Sequence, residues 1–337
     1  MEVWKAAKNA LECVLEAKKG ESLVIFCDHE KLDVGNAFAT GALKIGLKTR
    51  LIPLKTEANT FRKEISPQIM EIFAKSPPAD VYINLLRGVR EETPFRIKLI
   101  QMETKEHKAR LGHCPGVTLD MLTEGALALT TQEHRQMQDF AKNLIRELNQ
   151  TTKIDIANPA GTHVSLSVEG RPFFTDTMID WETMKWMNLP TGEVIVAPVE
   201  DSLEGKLVCD LAIGGIGPLK APVELSVRNG QVRNSSSKNL DILKRVQESL
   251  DTDGGSDVVG EFAFGINPKA RFTEEFLEAE KMLSTVHVAF GNNSDMPCGK
   301  NKSKNHMDFL ISNPTVKAFD KSGSSMNILV DGVFSTL

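Results

Sequence analysis

The sequence predicts an α/β fold in two parts: an N-terminal domain on a parallel, helix-covered sheet, and a β-rich α+β C-terminal domain. Three observations carry this. Short apolar strands alternate with amphipathic helices over the first third; one long amphipathic helix follows; beyond it, short β-like runs lie between turn residues. At 337 residues the chain is long for one domain, since domains usually run to about 100–200 residues. We therefore expect an N-terminal domain over 1–125, a connecting helix over 126–150 and a C-terminal domain over 151–337.

Each element follows from its residues. Residues 2–19 place Val3, Ala6, Ala7, Ala10, Leu11 and Val14 at helical spacing, with Gly20 as the stop. Residues 22–27 form a short apolar strand, 33–47 a helix ending at Gly46, and 49–53 a second strand. Residues 65–75 give a third helix, and 79–86 a third strand after the Ser76-Pro77-Pro78 breaker. Over 132–149, Met137, Phe140, Ala141, Leu144, Ile145 and Leu148 share one helical face. Beyond it, 163–168, 193–197, 207–213 and 223–227 read as strands, Asn229-Gly230 as a hairpin turn and 240–250 as a helix. There is no internal repeat and no low-complexity tract.

Composition excludes several classes. Hydrophobic residues make up 41% of the chain and charged residues 25%, the values of an ordinary globular protein with a real core. The formal net charge is −5 with no long basic run, which argues against nucleic acid as the main partner. No apolar run approaches the roughly 20 residues of a membrane span, and the first turns read as an amphipathic helix, not a secretion signal. A cytoplasmic location is the expectation. The five cysteines, Cys13, Cys27, Cys114, Cys209 and Cys298, are scattered and form no CxxC pair, so they read as reduced thiols.

Four segments in the second half carry ligand-type residues: NLPTGEV ending at Val194, VGEFAFGINP from Val259, HVAFG from His287, and NHMDF from Asn305. His306 and Asp308 are two apart and lead into an apolar run, so on a strand both face one side. Glu193 and Glu261 each follow a glycine and each opens an apolar run; His287 also begins one. Singly, each reads more readily as a turn or a hydrogen-bonded structural residue. As a set, Glu193, Glu261, His287, His306 and Asp308 suggest a divalent-metal site at strand ends, where a sheet edge meets a cleft. Three carboxylates and two imidazoles without a thiolate suit Zn, Co, Mn or Fe.

Taken in order, NxPxGE, GE with its apolar strand and GxNP, HxAxG and HxD resemble the thermophilic metalloaminopeptidases, the leucyl aminopeptidase-like aminopeptidase T and aminopeptidase S group. With Asn158-Pro159-Ala160-Gly161-Thr162 the resemblance covers most of 125–337. It implies a homodimeric hydrolase acting on small peptides, its site facing an enclosed cavity and holding two metal ions through Glu193, Glu261, His287, His306 and Asp308. Such a pair can bind the free amine of a peptide, polarise the scissile carbonyl and supply a hydroxide. This chain reads as a shorter, divergent member. The family tyrosine after HxAxG is missing, since the only tyrosine is Tyr82, and Glu280 is the nearest candidate for the acidic residue upstream of the histidine. A related branch with the same motifs opens dihydroxypyridine rings using one non-haem Fe(II). His287, His306 and Asp308 would supply its facial triad, while Glu193 and Glu261 would crowd a single iron. A third reading has the metal structural or lost.

Other features are weaker. Gly214-Gly215-Ile216-Gly217 lacks phosphate-loop spacing and reads as a turn; His113-Cys114 reads as a structural loop. Asp28-His29-Glu30 follows the first strand, where open α/β sheets bind ligands. Trp181 and Trp186 wall a pocket or fill a core. Lys300, Lys302 and Lys304 are a solvated loop or a clamp for a substrate carboxylate.

Overall fold

The computed structural model describes residues 1–104, 109–180 and 185–335, so Trp181 lies outside the described residues. By internal contacts the chain forms two units. One comprises Met1–Gln138, Asp176–Thr191 and Lys269–Arg271; the other comprises Asp139–Thr175, Gly192–Pro268 and Phe272–Leu337. The division falls inside the long helix Thr131–Leu148, whose buried Met137, Ala141, Leu144 and Leu148 are the stripe its spacing predicts.

The first unit holds a parallel sheet of β1 (Ser22–Asp28), β2 (Lys48–Leu54), β3 (Val81–Leu85), β4 (Arg110–His113) and β8 (Trp186–Asn188), in the order β2-β1-β3-β4-β8. In β1 and β3 nearly every side chain is buried, as expected of strands covered on both faces. The helices are α1 (Val3–Cys13), α2 (Leu32–Ile45), α3 (Pro67–Lys75), α4 (Thr93–Thr104) and α5 (Leu119–Thr123). Gly46 closes α2 at φ 93°, the left-handed cap its sequence signals. Two elements differ from the sequence reading. Helix α1 stops at Cys13, well before Gly20, because Glu16 turns left-handed at φ 49°. Helix α4 was not foreseen, because its buried stripe of Phe95, Leu99 and Glu103 puts a carboxyl where periodicity expects an apolar residue.

The C-terminal end of β1 is closed by charge. Buried Asp28 accepts from Arg62 Nη1 at 2.5 Å, Arg62 Nη2 at 2.7 Å and the Arg87 backbone N–H at 2.7 Å. Buried Glu92 accepts from Arg62 Nε at 3.0 Å, from Arg62 Nη2 and from Arg87 Nη2. The guanidinium of Arg62 also lies over the Phe95 ring, 4.5 Å from its centroid.

The second unit contains two antiparallel sheets. The larger is formed by β5 (Thr151–Ala157), β6 (His163–Ser167), β10 (Glu204–Cys209), β13 (Val223–Arg228), β14 (Gln231–Ser237), β18 (Thr315–Asp320), β19 (Ser325–Val330) and β20 (Val333–Phe334). Its hairpin β13-β14 turns at Asn229 and Gly230, both with positive φ, as the dipeptide demands. The other sheet has the order β12-β11-β17-β16-β15-β9-β7. Its strands are β7 (Phe174–Thr175), β9 (Glu193–Val196), β11 (Ala212–Ile213), β12 (Gly217–Pro218), β15 (Val259–Gly265), β16 (Val286–Gly291) and β17 (His306–Ile311). The run 207–213 is thus two strands, β10 and β11, in different sheets. The helix at 240–250 is Leu240–Leu250, N-capped by Asn239 accepting from the Ile242 N–H. Among the described residues no helix is long and apolar enough to cross a membrane.

Glu92→Ala strands two largely buried guanidiniums, so we expect a loss of about 3–5 kcal/mol in denaturant unfolding. Burial alone would raise the Glu92 carboxyl, but Arg62 and Arg87 hold it below the usual carboxylate range. Its stabilisation is therefore present above the unfolded value of about 4.3 and is lost as pH falls through the lower folded value. Glu92→Gln should flatten the acid limb of Tm against pH.

Candidate metal centre

Register decides which side chains meet. In an antiparallel sheet, directly paired residues project to the same face. Glu261 pairs with Ala289 and Ala289 with Asp308; Ala263 pairs with His287; Gly265 pairs with Glu193; Gly291 pairs with His306. One face of four adjacent strands, β9, β15, β16 and β17, therefore carries all five candidate residues. Between them stand Ala263 and Ala289, each with a single methyl, while over Gly265 and Gly291 the Met282 and Asn305 carbonyls pack closely. Glu193 and His306 open their strands, as the sequence reading expects, while Glu261 and Asp308 sit two residues inside theirs, so the cluster lies on the face of the sheet near those ends.

The motifs also touch one another. Gly192, ahead of Glu193, has φ 136°, and a Cβ there would stand 2.5 Å from Asn267 Cβ. Only glycine allows the Ile266 N–H to reach the Gly192 carbonyl at 2.8 Å, which joins NxPxGE to GxNP. On the other flank, the Gly214 N–H donates to the Asp308 carbonyl at 2.9 Å. Residues 214–216 are the turn between β11 and β12, and Gly217 opens β12.

The donor atoms converge. His287 Nε2 lies 3.2 Å from Glu261 Oε1, 3.5 Å from Glu193 Oε1 and 3.9 Å from Asp308 Oδ1. His306 Nε2 lies 3.2 Å from Glu261 Oε2 and 3.3 Å from Asp308 Oδ1. His306 Nδ1 is 2.8 Å from the Asn292 carbonyl, which can only accept, so Nδ1 carries the proton and Nε2 faces the carboxylates. Glu193, Glu261 and His287 are buried, Asp308 is half-buried, and the His306 side chain keeps 33% exposure.

This concentration of carboxylates dominates the electrostatics. Burial alone would lower the His287 imidazolium, but Glu261, Glu193 and Asp308 raise it to about 9. Burial also opposes charge on His306, and Asp308 and Glu261 again prevail, raising it well above the ordinary histidine value. Burial would raise Glu261, yet the two imidazoles hold it well below the carboxylate range. Without another cation, the imidazoles carry the compensating positive charge. A divalent ion suits the same place. Zinc–ligand bonds of about 2.0–2.1 Å put tetrahedral donors about 3.4 Å apart. Ligand atoms of Glu261, His287 and Asp308 all lie within 4.8 Å of one another.

One member escaped the sequence reading. Lys281, with a side chain only 3% exposed, donates to Glu193 Oε2 and lies 2.9 Å from Glu280 Oε1. The signal available was the Glu280-Lys281 pair a few positions ahead of His287, of which only the carboxylate was singled out. Burial raises the Glu280 carboxyl.

The other candidates serve structure. Asp28 is taken up by Arg62 and Arg87, while His29 and Glu30 are exposed. Burial lowers His113 to about 3 and pushes the Cys114 thiol up, so this pair offers no activated nucleophile. Trp186 packs on the core of the first unit, edge-on to His113. Tyr82 is buried in that same core, where its hydroxyl accepts from the Ala79 N–H at 2.9 Å. Lys300, Lys302 and Lys304 are exposed.

The fold is similar to that of 2,5-dihydroxypyridine dioxygenase from Pseudomonas putida KT2440, with TM-score 0.72 and 15% identity over 100% of this chain and 97% of that one. It is equally similar to wild-type AmpT from Thermus thermophilus, with TM-score 0.72 and 16% identity over 99% of each chain. At such identities the likeness is one of fold. Curated protein sequences give no match. The family model for the thermophilic metalloprotease (M29) matches residues 129–334, a span that contains all five clustered residues. The chain belongs to the thermophilic metalloprotease (M29) family.

Proposed function

We propose that this chain is a metal-dependent aminopeptidase whose Glu193, Glu261, His287, His306 and Asp308 hold a pair of divalent ions, Zn, Co or Mn. The family implies a divalent metal. The observation that carries the reading is the meeting of three carboxylates with two imidazoles, nitrogen to oxygen at 3.2–3.9 Å, on one sheet face. A metal pair, when bound, polarises a scissile carbonyl, anchors a free amine and lowers the pKa of water.

The chain's own residues divide the remaining work. Glu261 presents one oxygen to each imidazole, at 3.2 Å in both cases, which makes it the carboxylate best placed to serve two ions. His287 and Glu193 form the buried side of the cluster. His306 forms its accessible side, oriented by the Asn292 carbonyl, and is the ligand nearest to where a peptide arrives. Ala289, paired to both Glu261 and Asp308, keeps the space between them open.

The competing reading is a mononuclear Fe(II) ring-cleaving dioxygenase using His287, His306 and Asp308, favoured by the fold shared with the dihydroxypyridine enzyme. Against it stand Glu193 and Glu261, both within 3.5 Å of His287 Nε2, which add two further donors where an oxygenase needs open positions.

Elemental analysis of protein purified anaerobically without chelator separates the two. About two Zn, Co or Mn per chain, with turnover of aminoacyl anilides, is the expected result. About one iron per chain, with oxygen uptake on dihydroxypyridines, would favour the dioxygenase. Neither metal nor turnover would sink both. We also expect Ala289→Leu to fold, judged by circular dichroism, yet to bind zinc about 10–100-fold more weakly.

A further inference from the structure

A lysine sealed inside a protein is rare, because its ammonium must be desolvated and then compensated. Lys281 is such a residue, and where it has been put is specific. Its Nζ donates to Glu193 Oε2 and sits 2.9 Å from Glu280 Oε1. The other oxygen of the same carboxylate, Glu193 Oε1, is the one 3.5 Å from His287 Nε2. The two oxygens of Glu193 are thus divided between the ammonium and the cluster.

The backbone is shaped to deliver this contact. Gly265 is the register partner of Glu193, and a Cβ at Gly265 would stand 2.1 Å from the Met282 carbonyl. Having none, Gly265 admits the segment that carries Lys281. The Asn267 N–H donates to the Lys281 carbonyl at 2.9 Å, the Leu283 N–H to the Asn267 carbonyl at 3.2 Å and the Ser284 N–H to the Gly265 carbonyl at 3.1 Å. The segment is thereby laid along the end of β15 on its way into β16, and the Lys281 side chain reaches Glu193. The GxNP motif therefore has two tasks: Asn267 packs against Gly192, and its backbone fixes Lys281.

We infer that Lys281 is a positioning residue for the metal centre: it holds Glu193 by one oxygen, so that the other meets a metal ion in a fixed orientation. The ammonium also offsets part of the repulsion among Glu193, Glu280 and the cluster carboxylates. This rests on the metal reading above, but it concerns a residue outside the ligand set.

Zinc titration of metal-free protein, followed by calorimetry, tests it, with circular dichroism and Tm of each apo variant as the check on folding. Lys281→Met should weaken zinc binding by about 10–100-fold, whereas Lys281→Arg, which keeps the charge and the donors, should recover most of it. If Lys281→Met does not fold, Lys281→Gln, which keeps a donor and drops the charge, is read in its place. Because Lys281 acts through Glu193, the double variant K281M/E193Q should bind zinc no more weakly than Glu193→Gln alone. Wild-type-like binding by folded K281M, or a double variant weakened by the full product of the single effects, would overturn the inference. Wild-type protein that takes up no zinc, cobalt or manganese would instead overturn the metal reading itself.

Discussion

The repulsion among Glu193, Glu261 and Asp308 is the constraint on which the rest of the second unit depends. Bringing three carboxylates around one buried imidazole is unfavourable unless positive charge joins them. Within the chain that charge comes from His287, His306 and Lys281. The two imidazoles are themselves ligand-type groups, and Lys281 donates to the outer oxygen of Glu193 and stands 2.9 Å from Glu280 Oε1. Ligand atoms of Glu261, His287 and Asp308 within 4.8 Å of one another make this the place on the sheet where a cation would relieve that repulsion.

Rigidity follows from where the cluster stands. Each ligand-type residue is carried by an internal strand of the seven-stranded sheet, with a neighbouring strand on either side. The spacing between donors is set by strand separation and register, quantities that a sheet holds closely. The loops pin what the strands do not. The Asn292 carbonyl orients His306, and Asn301 Nδ2 donates to the Gly291 carbonyl at 2.7 Å. Arg171 and Asn293 both donate to Glu200, whose Oε1 also accepts from the Lys300 N–H at 2.8 Å.

The first unit shows the opposite use of charge. At the C-terminal end of its parallel strands, where open α/β sheets usually receive a ligand, Asp28 and Glu92 are occupied by Arg62 and Arg87. The guanidiniums of Arg62 and Arg87 close that crevice with the protein's own ions. Charge is used there for cohesion; around His287 it is arranged to attract.

Much of this was legible in the residues alone. Apolar alternation identified the parallel strands, Gly46 and Asn229-Gly230 marked turns, and the HxD spacing put His306 and Asp308 on one face, because helix and strand periods and left-handed φ values are local properties. The four short motifs in order also indicated the family. What local pattern cannot carry is register. That Ala289 stands between Glu261 and Asp308, that Gly265 lies opposite Glu193, and that the cluster occupies a sheet face all depend on pairings between residues far apart in sequence. Lys281 was missed for the same reason: a lysine beside a glutamate reads as solvated until a carbonyl packed on Gly265 delivers it to Glu193. Glu103 hid α4, since a buried carboxyl breaks the apolar period and only the tertiary structure shows that it is buried. The sequence by itself determined the elements and the chemical types at the site; the tertiary structure decided which of them meet, because desolvation and charge pairing act through space and leave no period along the chain.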